Sequence, residues 1–233
     1  RPALLAATVW LFNYEQLLHI ISRVKALLPQ CCIVLGGPEF LGDNEFFLRS
    51  NPFVSFVFRG EGEEVFPQWI THRNNSSEWK NTPGLCYLDS HGNYIDNGIA
   101  RVLNFHHLIP PEKSRFFNWS KPFVQLETTR GCFNTCAFCV SGGEKPVRTL
   151  SIEAIRERLQ IIHRHGIKNV RVLDRTFNYN TRRAKELLEL FRKKEIPYLI
   201  AWNKCDLLDE NAEEKLLRTD SDGSIPTAGI CVS

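Results

Sequence analysis

The chain of 233 residues contains no methionine, not even at position 1. A sequence without the initiating residue reads as a fragment of a longer protein or as one from which residues have been lost. Long apolar runs are missing too: no stretch approaches the roughly 18–20 residues needed to span a bilayer, and the first residues lack the charged and apolar regions of a signal peptide. No membrane association is expected, and the location reads as cytoplasmic. Charge of one sign is also absent, since 29 basic and 26 acidic residues are interspersed to a formal net charge of +3. That balance argues against a nucleic-acid groove or an anionic membrane surface as partner. Arg192-Lys193-Lys194 reads as the solvated end of a helix. Eight cysteines in this length fall well below the density of a disulfide scaffold.

What remains is a globular composition, 43% hydrophobic, with material for one or two cores. The first seventy or so residues alternate strand and helix signals. Leu4 to Val9 is apolar, and Asn13 can cap a helix whose Leu17, Leu18, Ile21, Val24 and Leu28 recur at helical spacing. Cys32 to Leu35 and Phe53 to Phe58 are further apolar runs. Such strands, separated by helices, predict a parallel sheet covered on both faces. Ligands of such sheets bind outside the carboxyl ends of the strands. Thr8 to Asn13, Gly36-Gly37-Pro38-Glu39 and Gly60-Glu61-Gly62-Glu63 fall there and should open onto one edge. Two of them also have a plainer explanation: Gly-Gly-Pro as turn punctuation, and the glutamates of 60–63 as partners of a helix N-terminus.

From about His72 to Ser120 the pattern turns polar and irregular, which reads as a linker carrying a hairpin between Leu85–Leu88 and Tyr94–Ile95, turned at Asp89-Ser90-His91-Gly92. The expected division is 1–71, 72–120 and 121–233. In the last part, strand Pro122 to Leu126 leads into Glu127, Thr128, Thr129 and Arg130. Ser151 with Glu153 starts a helix that Gly166 ends, and Asn169 to Leu173 is the next strand. Helix signals at 181–193 and 209–217, with strand signals at 198–202 and 228–232, continue a βα alternation. Strand-end loops at Asp174-Arg175-Thr176-Phe177-Asn178 and Trp202-Asn203-Lys204 become candidate positions for chemistry.

The most specific pattern is Cys132, Cys136 and Cys139, spaced C-x₃-C-x₂-C. Three thiolates can hold a 4Fe-4S cube by three corners, leaving the fourth iron open, whereas electron-transfer clusters generally take four cysteines. A structural zinc site needs four ligands, and no second pair lies nearby; His163 and His165 lack finger spacing. Buried free thiols are a further possibility. The other cysteines, Cys31, Cys32, Cys86, Cys205 and Cys231, sit in apolar runs and read as core.

The cysteine spacing, with Phe138 before the last cysteine, resembles the radical S-adenosylmethionine superfamily. Gly-Gly-Pro-Glu at 36–39, Asn-Pro-Phe-Val at 51–54 and Arg-Gly-Glu-Gly-Glu at 59–63 resemble the cobalamin-binding domain attached to one large class of it. The resemblance implies an α/β chain: a truncated doubly wound, Rossmann-like cobalamin-binding domain, entered at about its third strand, followed by a partial radical S-adenosylmethionine (β/α) barrel. It implies a 4Fe-4S cluster on the three cysteines and S-adenosylmethionine near Phe138, Arg130 and Asp174. Cobalamin would lie near Thr8, Gly36, Gly37, Gly60, Glu61 and Gly62. Asp174 stands where many members carry Gly-Gly-Glu; Gly142-Gly143-Glu144 spells that triplet but follows the cluster directly. The D-x-H-x-x-G string that supplies a cobalt ligand is absent. The implied chemistry is a 5′-deoxyadenosyl radical, or methyl transfer through cobalamin, in a water-poor pocket. An electron donor such as flavodoxin or ferredoxin would be the partner, and anaerobic metabolism the setting. The rivals are a radical S-adenosylmethionine enzyme with a degenerate first domain, and a zinc or iron-sulfur scaffold module.

Overall fold

The structure is a computed structural model that describes residues 1–137, 139, 144–193, 200–203 and 229–232, the last two stretches as backbone. The chain divides into two compact units, Arg1–Ile109 with Gly131–Arg148, and Pro110–Arg130 with Thr149–Ser233.

In the first unit, β1 (Leu4–Thr8), α1 (Tyr14–Leu27), β2 (Cys32–Gly36), α2 (Glu45–Ser50) and β3 (Phe56–Phe58) alternate, followed by α3 (Val65–His72), α4 (Ser76–Trp79), β4 (Leu85–Leu88) and β5 (Tyr94–Asp96). β1, β2 and β3 pair in parallel, with Leu5 opposite Ile33 and Leu35 opposite Val57. Because side chains alternate along a strand, the apolar runs feed two separate cores. Ile33, Leu35, Val57 and Cys86 pack with Ile21 of α1 and Leu48 of α2. Val34, Phe56, Phe58, Leu85 and Tyr87 pack with Trp69 of α3. Both faces are buried, as the continuous hydrophobicity predicts.

Two local expectations change. Asn13 precedes α1 but makes no side-chain bond to its amides. Its Oδ1 accepts from the Trp10 amide at 2.8 Å and its Nδ2 donates to the Thr8 carbonyl at 3.2 Å, so it ties the loop after β1. The hairpin expected in a linker extends the sheet instead: β4 runs antiparallel to β3, and β5 to β4, giving the order β1-β2-β3-β4-β5. The doubly wound pattern therefore holds for the first three strands only. The polar flanks concealed this, because their side chains are spent on turns. Asn75 caps α4, Asp89 accepts from the amides of His91 and Asn93, and Asn97 donates to the carbonyls of Trp79 and Thr82.

In the second unit, β6 (Val124–Leu126) leads to β7 (Thr129–Arg130). Beyond the cysteine loop, β8 (Arg148–Thr149) begins on the last residue of the first unit, and α5 (Ile152–Arg164), β9 (Val170–Val172) and α6 (Thr181–Lys193) follow in the second. β6 and β9 are parallel, Val124 opposite Val170 and Leu126 opposite Val172, so β6–α5–β9 is a βαβ unit. Ser151 caps α5 by accepting from the Ala154 amide at 3.1 Å, and Gly166 (φ 76°) ends it, both as read. β10 (Ile200–Asn203) and β11 (Gly229–Val232) form another parallel pair. The helix read at 209–217 lies outside the described residues. Pro110–Pro111, read as linker, opens a one-turn helix whose Glu112 is 4% exposed and grips Arg158 of α5, with Nη2 to Oε1 at 2.7 Å and Nε to Oε2 at 3.0 Å. Among the described residues no helix is long and apolar enough to cross a membrane.

The second core of the first unit hinges on Trp69, 2% exposed, whose ring lies 5.1 Å from Phe56, 5.7 Å from Phe58 and 6.0 Å from Phe66, centroid to centroid. Replacing Trp69 by Ala should cost about 3–5 kcal/mol, measured by urea unfolding of the full-length protein.

Candidate functional site

Parallel pairing carries the exits of β1, β2 and β3 to one edge. Thr8 is paired with Gly36, and a Cβ built on Gly36 would lie 3.7 Å from the Phe58 carbonyl, so the three predicted loops meet there. Their glycines differ in what holds them. Gly37 (φ 113°) packs so closely that a Cβ would stand 2.5 Å from the Val9 carbonyl oxygen. Gly60 (φ 100°) would set one 2.3 Å from that of Ala100. The fold itself demands glycine at both. Among the described residues Gly36 and Gly62 meet nothing closer than 3.7 and 3.8 Å, which leaves room for a side chain at either. Beside Thr8, the loop exposes Leu11 and Phe12, both 82% exposed, with the rings of Trp10 and Phe12 stacked at 6.0 Å.

Glu61 turns inward. Its carboxylate takes a two-pronged contact from Arg148, Nη1 to Oε2 and Nη2 to Oε1, both at 2.8 Å, and accepts from the Val102 amide at 2.6 Å. Glu144, the last letter of the Gly-Gly-Glu triplet, joins the same group: its Oε1 lies 2.9 Å from Arg148 and 3.0 Å from Arg101. Arg148 also donates to the Val102 carbonyl, and its guanidinium lies 5.6 Å from the Phe105 ring centroid. Side-chain exposure is 10% for Glu61, 10% for Arg148 and 11% for Glu144. Two guanidiniums and two carboxylates thus neutralise one another in a cluster that sequence reading missed, nearly buried except at Arg101, whose side chain is 36% exposed. The signal was there as an acidic loop and an isolated arginine, but their partnership spans 87 residues.

The cysteine loop departs from that cluster. The Cys132 amide donates to the Glu144 carbonyl at 2.9 Å, and the Cys139 amide to the Cys136 carbonyl at 3.0 Å, a tight turn. Gly131 (φ 101°) passes so close that a Cβ would stand 2.6 Å from the Glu144 carbonyl oxygen. All three thiols are free; Cys132 and Cys136 are partly exposed and Cys139 is exposed. As a donor set, three unpaired accessible thiols within eight residues suit an iron-sulfur cluster. Among the described residues no three His, Cys, Asp or Glu side chains already converge as a metal site. Phe138, Gly142 and Gly143 lie outside the described residues.

The remaining cysteines behave as core. Cys31 and Cys86 are buried, and burial pushes the Cys86 thiol up to about 11, which keeps it protonated and inert. Burial raises Cys32 likewise. The side chains of Cys205 and Cys231 lie outside the described residues. His165, of the H-x-H, stacks on Trp119 at 3.6 Å and directs its Nδ1 to the Ile161 carbonyl, a packing role.

In the second unit the end of β6 is held by Asp174. Its Oδ1 accepts from the amides of Thr128 at 2.7 Å and Thr129 at 2.9 Å, and its Oδ2 accepts from the Thr128 hydroxyl. Arg130 forks onto Glu127, Nη2 to Oε2 at 2.7 Å and Nε to Oε1 at 3.0 Å. Arg183 donates to the Thr128 carbonyl at 3.2 Å. Among the described residues the buried Thr129 hydroxyl and Arg183 Nε have no hydrogen-bond partner, two polar atoms left at one strand end.

Asp174→Ala removes the acceptor for two amides on residues 0% and 2% exposed. The expected loss is about 1–3 kcal/mol for each donor left unpaired, read from urea unfolding. Asp174→Asn, which keeps one carbonyl oxygen, should lose less.

A model of the Radical SAM superfamily matches residues 126–218. The chain is 29% identical over 221 residues to an uncharacterised methyltransferase of Pyrococcus horikoshii, covering 90% of this chain and 47% of that protein. It is 22% identical over 206 residues to the cobalamin-dependent radical SAM methyltransferase TokK of Streptomyces tokunonensis, covering 76% of this chain and 28% of that protein. It therefore spans less than half the length of these curated relatives. In fold it is similar to the cobalamin-dependent S-adenosylmethionine radical enzyme OxsB, with a TM-score of 0.70 and 21% identity over 98% of this chain and 34% of that one. It is also similar to the radical S-adenosylmethionine methyltransferase TsrM of Kitasatospora setae, with a TM-score of 0.65 and 17% identity over 99% and 47%. The cysteine spacing and these matches agree, and over residues 126–218 the chain is similar to the Radical SAM superfamily.

Proposed function

We propose that the full-length protein is a radical S-adenosylmethionine enzyme that binds a 4Fe-4S cluster, S-adenosylmethionine and cobalamin, and transfers a methyl group to its substrate. The observation that carries this reading is the cysteine loop, where three free thiols at cluster-binding spacing sit on a backbone tied at Cys132 and turned at Cys136–Cys139. Cys132, Cys136 and Cys139 would hold the cluster. With S-adenosylmethionine bound, such a cluster supplies one-electron cleavage at the sulfonium, and cobalamin supplies methyl transfer. The chain's own groups bind and orient. Asp174 fixes the backbone of Thr128 and Thr129, and Arg130 with Glu127 offers a fixed pair of charges at the same strand end. Phe138 is proposed to pack beside the adenine. The βα units from β6 onward are read as the first part of a barrel, and an external electron donor completes the reaction.

Cobalamin is supported by the sheet edge. Among the described residues nothing packs against Gly36 or Gly62 closely enough to require glycine, which suits close approach of a bulky ligand to the backbone. Trp10, Leu11 and Phe12 add exposed apolar surface at that edge. A degenerate edge that binds no cobalamin has its own support: Gly37, Gly60 and Glu61 are already explained by the fold.

Gly36→Ala separates these. It should leave stability within about 0.5 kcal/mol while weakening cobalamin retention roughly tenfold, about 1.4 kcal/mol. Gly37→Ala should destabilise by about 1–3 kcal/mol through its strained φ. Cobalamin retained equally by Gly36→Ala and wild type would remove Gly36 from the site, and no retention by wild type would establish the degenerate reading.

The activity itself is tested by anaerobic reconstitution of the full-length protein with iron and sulfide. Reductant and S-adenosylmethionine are then added, and 5′-deoxyadenosine and S-adenosylhomocysteine are measured with and without cobalamin. Cobalamin-dependent S-adenosylhomocysteine, lost in Cys132→Ala, is expected. A colourless protein with stoichiometric zinc and neither product would show a scaffold instead.

A further inference from the structure

We propose that Arg148 is a positioning residue for the cysteine loop. On this reading the Arg148–Glu61 fork anchors the loop's returning end to the turn at Gly60–Glu61, and Glu144 passes that anchor to Cys132. The inference rests on the cluster being held by this loop, and its geometry lies wholly within the first unit. Glu61 is itself pinned: its amide donates to the Ala100 carbonyl at 2.9 Å, and Ala100 donates back to Arg59 at 2.9 Å. The anchor is therefore on rigid backbone beside β3. Arg148 reaches it with both terminal nitrogens, the planar geometry that guanidinium gives and ammonium does not. From Arg148 the contact passes to the Glu144 carboxylate, and the Glu144 carbonyl receives the Cys132 amide. One residue thus joins, through its side chain and its backbone, the charge cluster and the first cysteine.

Burial gives the arrangement its force. With the side chains of Glu61, Arg148 and Glu144 about one-tenth exposed, these charges are held chiefly by their partners rather than by water, and removing Arg148 takes a buried charge partner from both carboxylates and leaves them the more exposed Arg101. Glu61, read from sequence as a cobalamin contact, acts in this view on the cysteine loop.

The test uses hydrogen exchange on the metal-free full-length protein, comparing wild type, Arg148→Ala, Arg148→Lys and Glu61→Gln. Amides of residues 131–137 should exchange roughly tenfold faster in Arg148→Ala and Glu61→Gln, with β2 amides unchanged, because local opening need not involve the whole unit. Arg148→Lys should fall between, keeping charge but losing the fork. Loop and β2 amides accelerating equally, or neither, would overturn the proposal and leave the cluster as ordinary fold stabilisation. A second readout follows on reconstituted protein: cluster bleaching by a chelator should be roughly tenfold faster in Arg148→Ala, as expected when a supporting shell is lost. A wild-type lifetime would overturn it. Wild type that takes up no iron would fail the radical-enzyme reading alone, since the exchange comparison stands without metal.

Discussion

Parallel pairing of β1, β2 and β3 is the constraint from which the first unit follows. Strands that run the same way cannot be joined by tight turns, so each connection must cross over as a helix, and each helix must cover a face of the sheet. Ile21 and Leu48 cover one face and Trp69 the other. The same parallel sense sends every strand exit to one edge, which is why Thr8, Gly36 and the Gly60–Gly62 turn become neighbours although they are far apart in the chain.

That edge divides its residues between two duties. Gly37 and Gly60 permit backbone to cross backbone, and Glu61 folds inward to meet Arg148. Gly36 and Gly62 have room for a side chain among the described residues, and the Trp10–Phe12 loop exposes its apolar side chains. A loop that looked in sequence like one binding element is thus part scaffold and part available surface. The charge cluster shows how this is possible. Glu61 and Glu144 would repel if alone, but two guanidiniums neutralise them, and the Val102 backbone donates to Glu61 and accepts from Arg148.

The second unit uses polar groups differently. Asp174 gathers two amides and a hydroxyl at the end of β6, and Glu112 buries itself against Arg158 under α5. Both are short acidic residues whose carboxylates close backbone or helix contacts, and neither is marked in sequence by hydrophobic periodicity. Glu112 in particular stands after Pro110–Pro111, where turn chemistry suggests an unstructured connection. Its burial depends on an arginine 46 residues away.

Some of this was readable from the residues in order. Strands and helices announced themselves where periodicity was continuous: β1, β2, α1, α5 with its Ser151 cap and Gly166 stop, and α6. The cysteine spacing pointed to the superfamily whose model matches residues 126–218, because three ligands for one cluster must lie close in the chain to be carried on one loop. The hairpin's place on the sheet, the inward turn of Glu61, and the partners of Asp174, Glu112 and Arg148 were not readable. Local sequence determines φ and ψ preferences and the side of an element that is apolar, since those depend on neighbours a few residues apart. Which carboxylate meets which guanidinium, and which glycine is needed for close approach, depends on distances set only when strands separated by tens of residues are brought together, and the tertiary structure decided them.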